Sequence, residues 1–170
     1  MPLIVLRHTK PDVAPGTCYG RTDLALATCF EETARAAHAG LPPVARIVSS
    51  PLSRCLRLAE WIAQARNLPL EIDPRIVEMD FGRWEGTPWA EISRPELDAW
   101  AADFEGARPH GGESVAMLAE RVSRALEGLG PEPTLWVTHS GVFRAVCAIR
   151  GIDDGWDTQL DFGCWVSVEP

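Results

Sequence analysis

Short apolar runs alternate along this chain with stretches whose apolar residues recur every three or four positions. Leu3, Ile4, Val5 and Leu6 form an unbroken run of strand length, bounded by polar residues, which fits a strand covered on both faces. Thr28-Cys29-Phe30-Glu31 matches a capping box, with Thr28 and Glu31 each satisfying a free backbone N–H, and the helix it opens stops at Gly40. Residues 45–48 repeat the buried-strand pattern. Ser50 then supplies an N-cap and Pro51 a first-turn proline, and Leu52, Leu56, Leu58, Ala59 and Ile62 give the following helix its apolar side. Residues 70–72 read as a short strand and Thr87-Pro88 as another helix start, with the helix over 89–104 interrupted near Pro95. Val115, Leu118, Ala119, Val122, Leu126 and Leu129 keep helical spacing. A strand over 135–137, a helix over 142–149 and a strand over 165–168 complete the chain.

This alternation predicts an α/β domain. No repeat, low-complexity tract or linker divides residues 1–170, so the pattern reads as one domain. At 170 residues the chain can bury roughly two-thirds of its unfolded surface. A composition of 46% hydrophobic and 24% charged residues is that of a globular protein, not of a disordered or fibrous one.

Charge narrows the partners. A net charge of −8 and a pI near 5.0 argue against a nucleic-acid strand, which needs a basic face. A small anion is still compatible, because a local arginine cluster can make a positive pocket in an acidic protein. No apolar run approaches the roughly 18 residues of a membrane span, and no leader-like segment is seen. The five cysteines form no CxxC pair, which suits reduced thiols in a cytoplasmic protein. Trp165, Val166 and Val168 suit either a core face or the interface of a homodimer.

Ligands of open α/β sheets bind beyond the carboxyl ends of the strands. The first strand ends in Arg7-His8, and the second runs into "SSPLSRC", which puts Arg54 in the first turn of the next helix. The run at 135–137 leads to His139, after which Ser140-Gly141 opens a helix with free N–H groups. Two arginines, two histidines and helix N-termini on one edge make an anion site, and the planar fork of arginine matches phosphoryl oxygens. A neutral imidazole can attack phosphorus and carry the phosphoryl group, splitting one hard step into two. Neighbouring cations would stabilise the equatorial oxygens and oppose protonation of the imidazole. An acid for the leaving oxygen is offered by "VEMDFGRWEG", which holds Glu78, Asp80 and Glu85. Singly, each of these residues has a bland structural reading; the set in this order carries the inference.

"LRHT", "SSPLSR", "EMDFGRWEG", "GGES" and "VTHSG" fall in the order found in the histidine phosphatase superfamily, the phosphoglycerate-mutase-like group, which the chain resembles from residue 3 to about residue 148. "KPDVAPGTCYGRTDLAL" and "MDFGRWEG" are most similar to the α-ribazole-5′-phosphate phosphatases of the cobalamin pathway. The resemblance implies a three-layer α/β/α sandwich with a mostly parallel central sheet. It makes His8 the phosphorylated nucleophile, Glu78 the proton donor, and Arg7, Arg54 and His139 the phosphoryl-binding groups. It implies no cofactor and no metal, and a small phosphomonoester as partner. Many members have Gly where Thr9 stands, so the Thr9 hydroxyl is a candidate phosphate ligand, with Ser140. The chain lacks the longer insertions that close over the site in the mutases, which favours hydrolysis.

Substrate choice is expected from the loop over 10–26 and the stretch over 81–112, where Lys10, Tyr19, Arg21, Trp84 and Trp89 are candidates for the mouth above His8. Metal-dependent hydrolysis is disfavoured: no HExxH, HxH, CxxC or DxDxT-like string is present, and His38 and His110 have no spaced partners. A cysteine nucleophile is not expected either. A phospho-ligand binder without turnover would have no use for the acid.

Overall fold

The structure is a computed structural model and describes residues 3–152 and 155–168. Five strands, β1 (Leu3–Arg7), β2 (Arg46–Ser49), β3 (Leu70–Ile72), β4 (Thr134–Thr138) and β5 (Trp165–Val168), form one sheet in the order β3-β2-β4-β1-β5. All neighbours run parallel except β5, which pairs antiparallel with β1 at the edge. Five helices, α1 (Phe30–Gly40), α2 (Ser53–Arg66), α3 (Arg94–Ala102), α4 (Val115–Glu127) and α5 (Ser140–Ile149), connect them.

Strand alternation splits the core into two layers. Ile4 and Leu6 face α1 and α2 with Ile47, Leu58, Ile62, Leu135 and Val137, whereas Leu3 and Val5 face α4 and α5 with Leu118, Val122, Trp136, Val142 and Val146. Each such side chain contributes about 1.5–3 kcal/mol on leaving water. Both faces are therefore apolar, which is why β1 and β4 read as unbroken runs in the sequence. In β5 only Val168 is fully buried; Trp165 packs half-buried on the α1–α2 layer and Val166 half-buried on the other.

Two local readings are corrected and a third is shifted. No capping box forms: α1 starts at Phe30 after Cys29, with no side-chain cap, because the Phe30 N–H already bonds the Ala27 carbonyl in a preceding turn. Ser50 does not cap α2, which begins at Ser53; its hydroxyl is held instead by His139. The interruption expected near Pro95 falls just ahead of it, at Ile92 and Ser93, and Pro95 itself is helical. It lies in the first turn of α3, where a missing N–H costs no bond, and the segment before it is a separate 3-10 turn, Trp89–Glu91.

Register fixes the site. The β1–β4 ladder ends on the pair Arg7 and Thr138, so the next residues, His8 and His139, leave the sheet side by side. The His8 N–H still bonds the Thr138 carbonyl at 3.0 Å, and the Ser50 N–H bonds the Val137 carbonyl at 3.0 Å. Three strand ends thus deliver His8, Ser50 and His139 to one place.

Candidate active site

His8 is 2% exposed, and its Nδ1 lies 2.7 Å from the Thr9 carbonyl oxygen. A carbonyl only accepts, so Nδ1 carries the proton and the neutral ring keeps its lone pair on Nε2. Burial, then the Arg54 cation, then Arg7 outweigh the Thr9 hydrogen bond and lower the His8 pKa to about 3. The imidazole is therefore neutral at physiological pH and its nucleophilic nitrogen is defined.

His139 is fully buried, its ring edge-on to His8 with centroids 5.2 Å apart. Its Nε2 is 2.7 Å from the Ser50 hydroxyl, and the Cys55 sulfur sits 3.4 Å away. Burial first, and the neighbouring His8, Arg54, Arg121 and Arg7, hold its pKa well below the ordinary value.

Arg54, the second residue of α2, is 0% exposed. Its terminal nitrogens donate to the Thr22 carbonyl at 2.8 Å and the Gly20 carbonyl at 2.5 Å, and its guanidinium lies 5.2 Å from the Tyr19 ring centre. Arg7 donates to the Leu160 carbonyl at 2.8 Å and stacks on Phe162 at 3.8 Å; that same ring is 5.5 Å from His8. Three buried donors of this cluster, Arg7 Nε, Arg54 Nε and Thr9 Oγ1, have no hydrogen-bond partner among the described residues. A donor buried without a partner costs about 1–3 kcal/mol, and three together mark a place suited to ligand oxygens.

Glu78 is 9% exposed and faces the same cavity, where its Oε1 accepts from the Met79 N–H at 2.9 Å and its Oε2 from the Gly141 N–H at 3.1 Å. The other two acid candidates are occupied elsewhere. Asp80 accepts from the Gly82 N–H at 2.8 Å, and Glu85 accepts from the Arg21, Thr22 and Phe81 N–H groups and from the Thr22 hydroxyl. Glu113 and Ser114 of "GGES" are structural: Glu113 is clasped by Arg121 at 2.7 Å, and Ser114 caps α4.

The cavity, about 350 Å³, joins Arg7, His8, Glu78, Ser140, Gly141 and Arg144 at a polar end to a wall that includes Tyr19, Phe81, Trp89, Trp100, Phe104 and Trp156. The candidate mouth residues divide. Tyr19 and Trp89 line the cavity. Trp84 is buried, donating to Glu96 at 2.8 Å, and packs the loop from beneath. Lys10 borders a neighbouring hollow with Tyr19 and Phe162. Arg21 turns towards Glu113, 3.7 Å away.

Sequence reasoning missed Ser50, Phe162, Trp100, Phe104, Trp156 and Arg144. Arg144 had a signal, since it stands four residues after Ser140 and so shares its helix face. Trp100 and Phe104 had one too, since they fall in the stretch over 81–112, whereas Trp156 and Phe162 arrive from beyond α5 and had none. Contrary to expectation, Cys29 and Arg35 do have the Cys-x5-Arg spacing of cysteine phosphatases. They straddle the start of α1, so the intervening residues are helix and form no phosphate loop. Among the described residues no group of three or more His, Cys, Asp or Glu side chains could hold a metal ion, and no helix is long and apolar enough to cross a membrane.

Comparison with known proteins agrees with this geometry. The adenosylcobalamin/alpha-ribazole phosphatase of Escherichia coli strain K12 is 29% identical over 133 residues, 72% of this chain and 66% of that protein, so the match spans just under two-thirds of that relative's length. Phosphoserine phosphatase 1 of Hydrogenobacter thermophilus is 32% identical over 173 residues, covering 95% of this chain and 81% of that one. The crystal structure of the alpha-ribazole phosphatase from Shigella flexneri superposes with a TM-score of 0.87 at 26% identity, covering 99% of this chain and 90% of that one. The family profile described as histidine phosphatase superfamily (branch 1) matches residues 3–170, and the chain belongs to that superfamily.

Proposed function

We propose that the protein hydrolyses a phosphomonoester through a phosphohistidine intermediate, with α-ribazole-5′-phosphate as its substrate. The observation that carries the chemistry is the fixed tautomer of His8, which leaves its Nε2 lone pair for attack beside the Arg54 and Arg7 cations, while Arg7, Arg54 and Thr9 each keep a buried donor without a partner among the described residues.

In the first half-reaction Nε2 attacks phosphorus, the N–P bond forms and the P–O ester bond breaks. Protonated Glu78 gives its proton to the departing oxygen. Arg7, Arg54 and His139, with Thr9 and the Ser140 N-terminus of α5, hold the phosphoryl oxygens as charge builds on them. In the second half-reaction water attacks phosphorus, its proton goes to the Glu78 carboxylate, and the N–P bond breaks to release phosphate and neutral His8. Each step balances without a metal or cofactor.

The substrate reading is supported by the likeness of "KPDVAPGTCYGRTDLAL" and "MDFGRWEG" to the α-ribazole branch and by the E. coli relative's name. An aromatic wall suits a planar base. The unpaired cysteines suit a cytoplasmic setting.

The test is steady-state hydrolysis, with chelator present, of α-ribazole-5′-phosphate beside 3-phosphoglycerate, a sugar phosphate, a nucleoside monophosphate and an aryl phosphate. A kcat/KM for α-ribazole-5′-phosphate well above the rest supports the full reading. Flat activity keeps the chemistry but makes the protein a broad small-molecule phosphatase. His8→Ala should abolish turnover; full activity in that variant would overturn the nucleophile.

A further inference from the structure

The phosphoryl-transfer groups leave one cation of the cavity without a task. Arg144 projects from α5 one turn beyond Ser140, on the face that borders the cavity. Its Nε donates to the Thr158 carbonyl at 3.1 Å, the one hydrogen bond its side chain makes among the described residues. No carboxylate pairs with it among those residues, although most of the chain's other ion pairs join an arginine to a nearby Asp or Glu. Among the described residues Glu78 is the single carboxylate on the cavity wall, and the proposed chemistry needs it protonated when the ester breaks.

We infer that Arg144 is a specificity-determining residue, whose terminal nitrogens take a pair of neighbouring oxygens that the substrate carries outside its phosphoryl group. The inference rests on the phosphatase reading above and narrows the substrate class. A guanidinium pinned through Nε presents its two remaining N–H edges in a fixed plane, a fork that matches two oxygens on adjacent atoms or on one carbon. A vicinal diol and a carboxylate share that geometry. A simple aryl phosphate has nothing to offer there.

Arg144→Met removes the fork while keeping the length and apolar stem of the side chain. The wild type and the variant are compared on α-ribazole-5′-phosphate, which has a diol, on O-phosphoserine, which has a carboxylate, and on phenyl phosphate, which has neither. The expected result is a fall of about ten- to a hundredfold in kcat/KM for at least one oxygen-pair substrate relative to phenyl phosphate, mainly through KM. A selective fall for α-ribazole-5′-phosphate identifies the diol, and one for phosphoserine the carboxylate. Arg144→Lys keeps the charge but not the fork and should recover only part of the loss. Equal losses on all three compounds would overturn the inference by making Arg144 a phosphoryl or fold residue, and so would no loss on any of them. If the wild-type chain hydrolysed none of the three, the phosphatase reading would fall. Calorimetric binding of the same compounds would then still decide whether Arg144→Met selectively weakens the oxygen-pair ligands.

Discussion

Replacing Glu85 by glutamine alters one atom and no shape, yet the surroundings of that carboxylate make it a severe change. Oε1 accepts from the Arg21 N–H at 2.9 Å and the Phe81 N–H at 3.1 Å, and Oε2 from the Thr22 N–H at 2.8 Å and the Thr22 hydroxyl. With its NH2 turned towards Thr22 the amide can donate to the Thr22 hydroxyl, so one bond, from the Thr22 N–H, becomes a donor–donor contact and the Arg21 and Phe81 N–H groups exchange a charged acceptor for a neutral one. Bonds to a charged acceptor are worth about 1.5–3 kcal/mol each when sheltered; Glu85 is half-exposed, and about 1 kcal/mol each is the reasonable figure after screening. The loss is then about 1–2 kcal/mol, which in a chain of this size lowers Tm by about 2–8 °C. The functional loss follows from what the loop holds. Gly20 and Thr22 supply both carbonyls that fix the Arg54 fork, so freeing the loop frees a phosphoryl-binding arginine, and kcat/KM should fall by about 10- to 100-fold. Thermal melts and steady-state rates on an alkyl and an aryl phosphate check both halves. If the rate loss were much larger for the alkyl ester, Glu85 would be the acid and the reasoning would be refuted. A lowered Tm with undiminished kcat/KM would refute the coupling to Arg54. The pH dependence has a definite sign. Burial pushes the Glu85 carboxylate up, but the Thr22 hydroxyl and the three backbone N–H groups outweigh it, so its folded pKa is depressed. Its stabilisation is present above the ordinary carboxylate pKa and lost as pH falls through the lowered value, and the gap between wild type and Glu85→Gln should close there.

Glu78→Gln should slow alkyl esters by about 10²–10⁴-fold and activated aryl phosphates far less, since a good leaving group needs little protonation; equal losses on both would assign the proton to another donor. His8 has a folded pKa of about 3 and His139 one well below the ordinary 6.5, so unfolding takes up protons between those values and stability should fall as pH drops from about 6.5. Melting temperatures from pH 8 down to about pH 4 would show it, and a flat profile would contradict the burial of both rings.

The sheet was legible because β1 and β4 are apolar on both faces, and a run such as Leu3 to Leu6 has few other uses. Arg7, His8, Arg54 and His139 were legible because each follows a strand within a few residues, and register alone then brings the two histidines together. Helix starts were less so. Thr28 and Ser50 carry the side chains of caps, but a preceding turn claims the first helix's N-terminus and His139 claims the Ser50 hydroxyl, both matters of tertiary contact. Glu78, Asp80 and Glu85 were indistinguishable in sequence; only their hydrogen bonds separate an acid facing the cavity from two carboxylates that tie loops. The aromatic wall was legible only as a stretch: Trp100 and Phe104 lie four apart within the expected 81–112 segment, but Trp156 joins them from beyond α5, and Trp84, the most conspicuous tryptophan, proves to be packing.

The strand that leads to His8 is hydrogen-bonded on one side to β4 and on the other to β5, and Gly163 donates to the carbonyls of both Arg7 and His8. During synthesis, then, His8 precedes His139 by more than 130 residues and Phe162 by still more. Pairing across such separations is slow and cannot be nucleated locally. Until β4 arrives there is no His139 beside it, and until residues 160–163 arrive Arg7 has neither its carbonyl partner nor its aromatic support. A chain not yet made as far as residue 163 therefore carries His8 without the ring and carbonyl contacts that complete the cluster around it, and the site assembles only once β5 is paired.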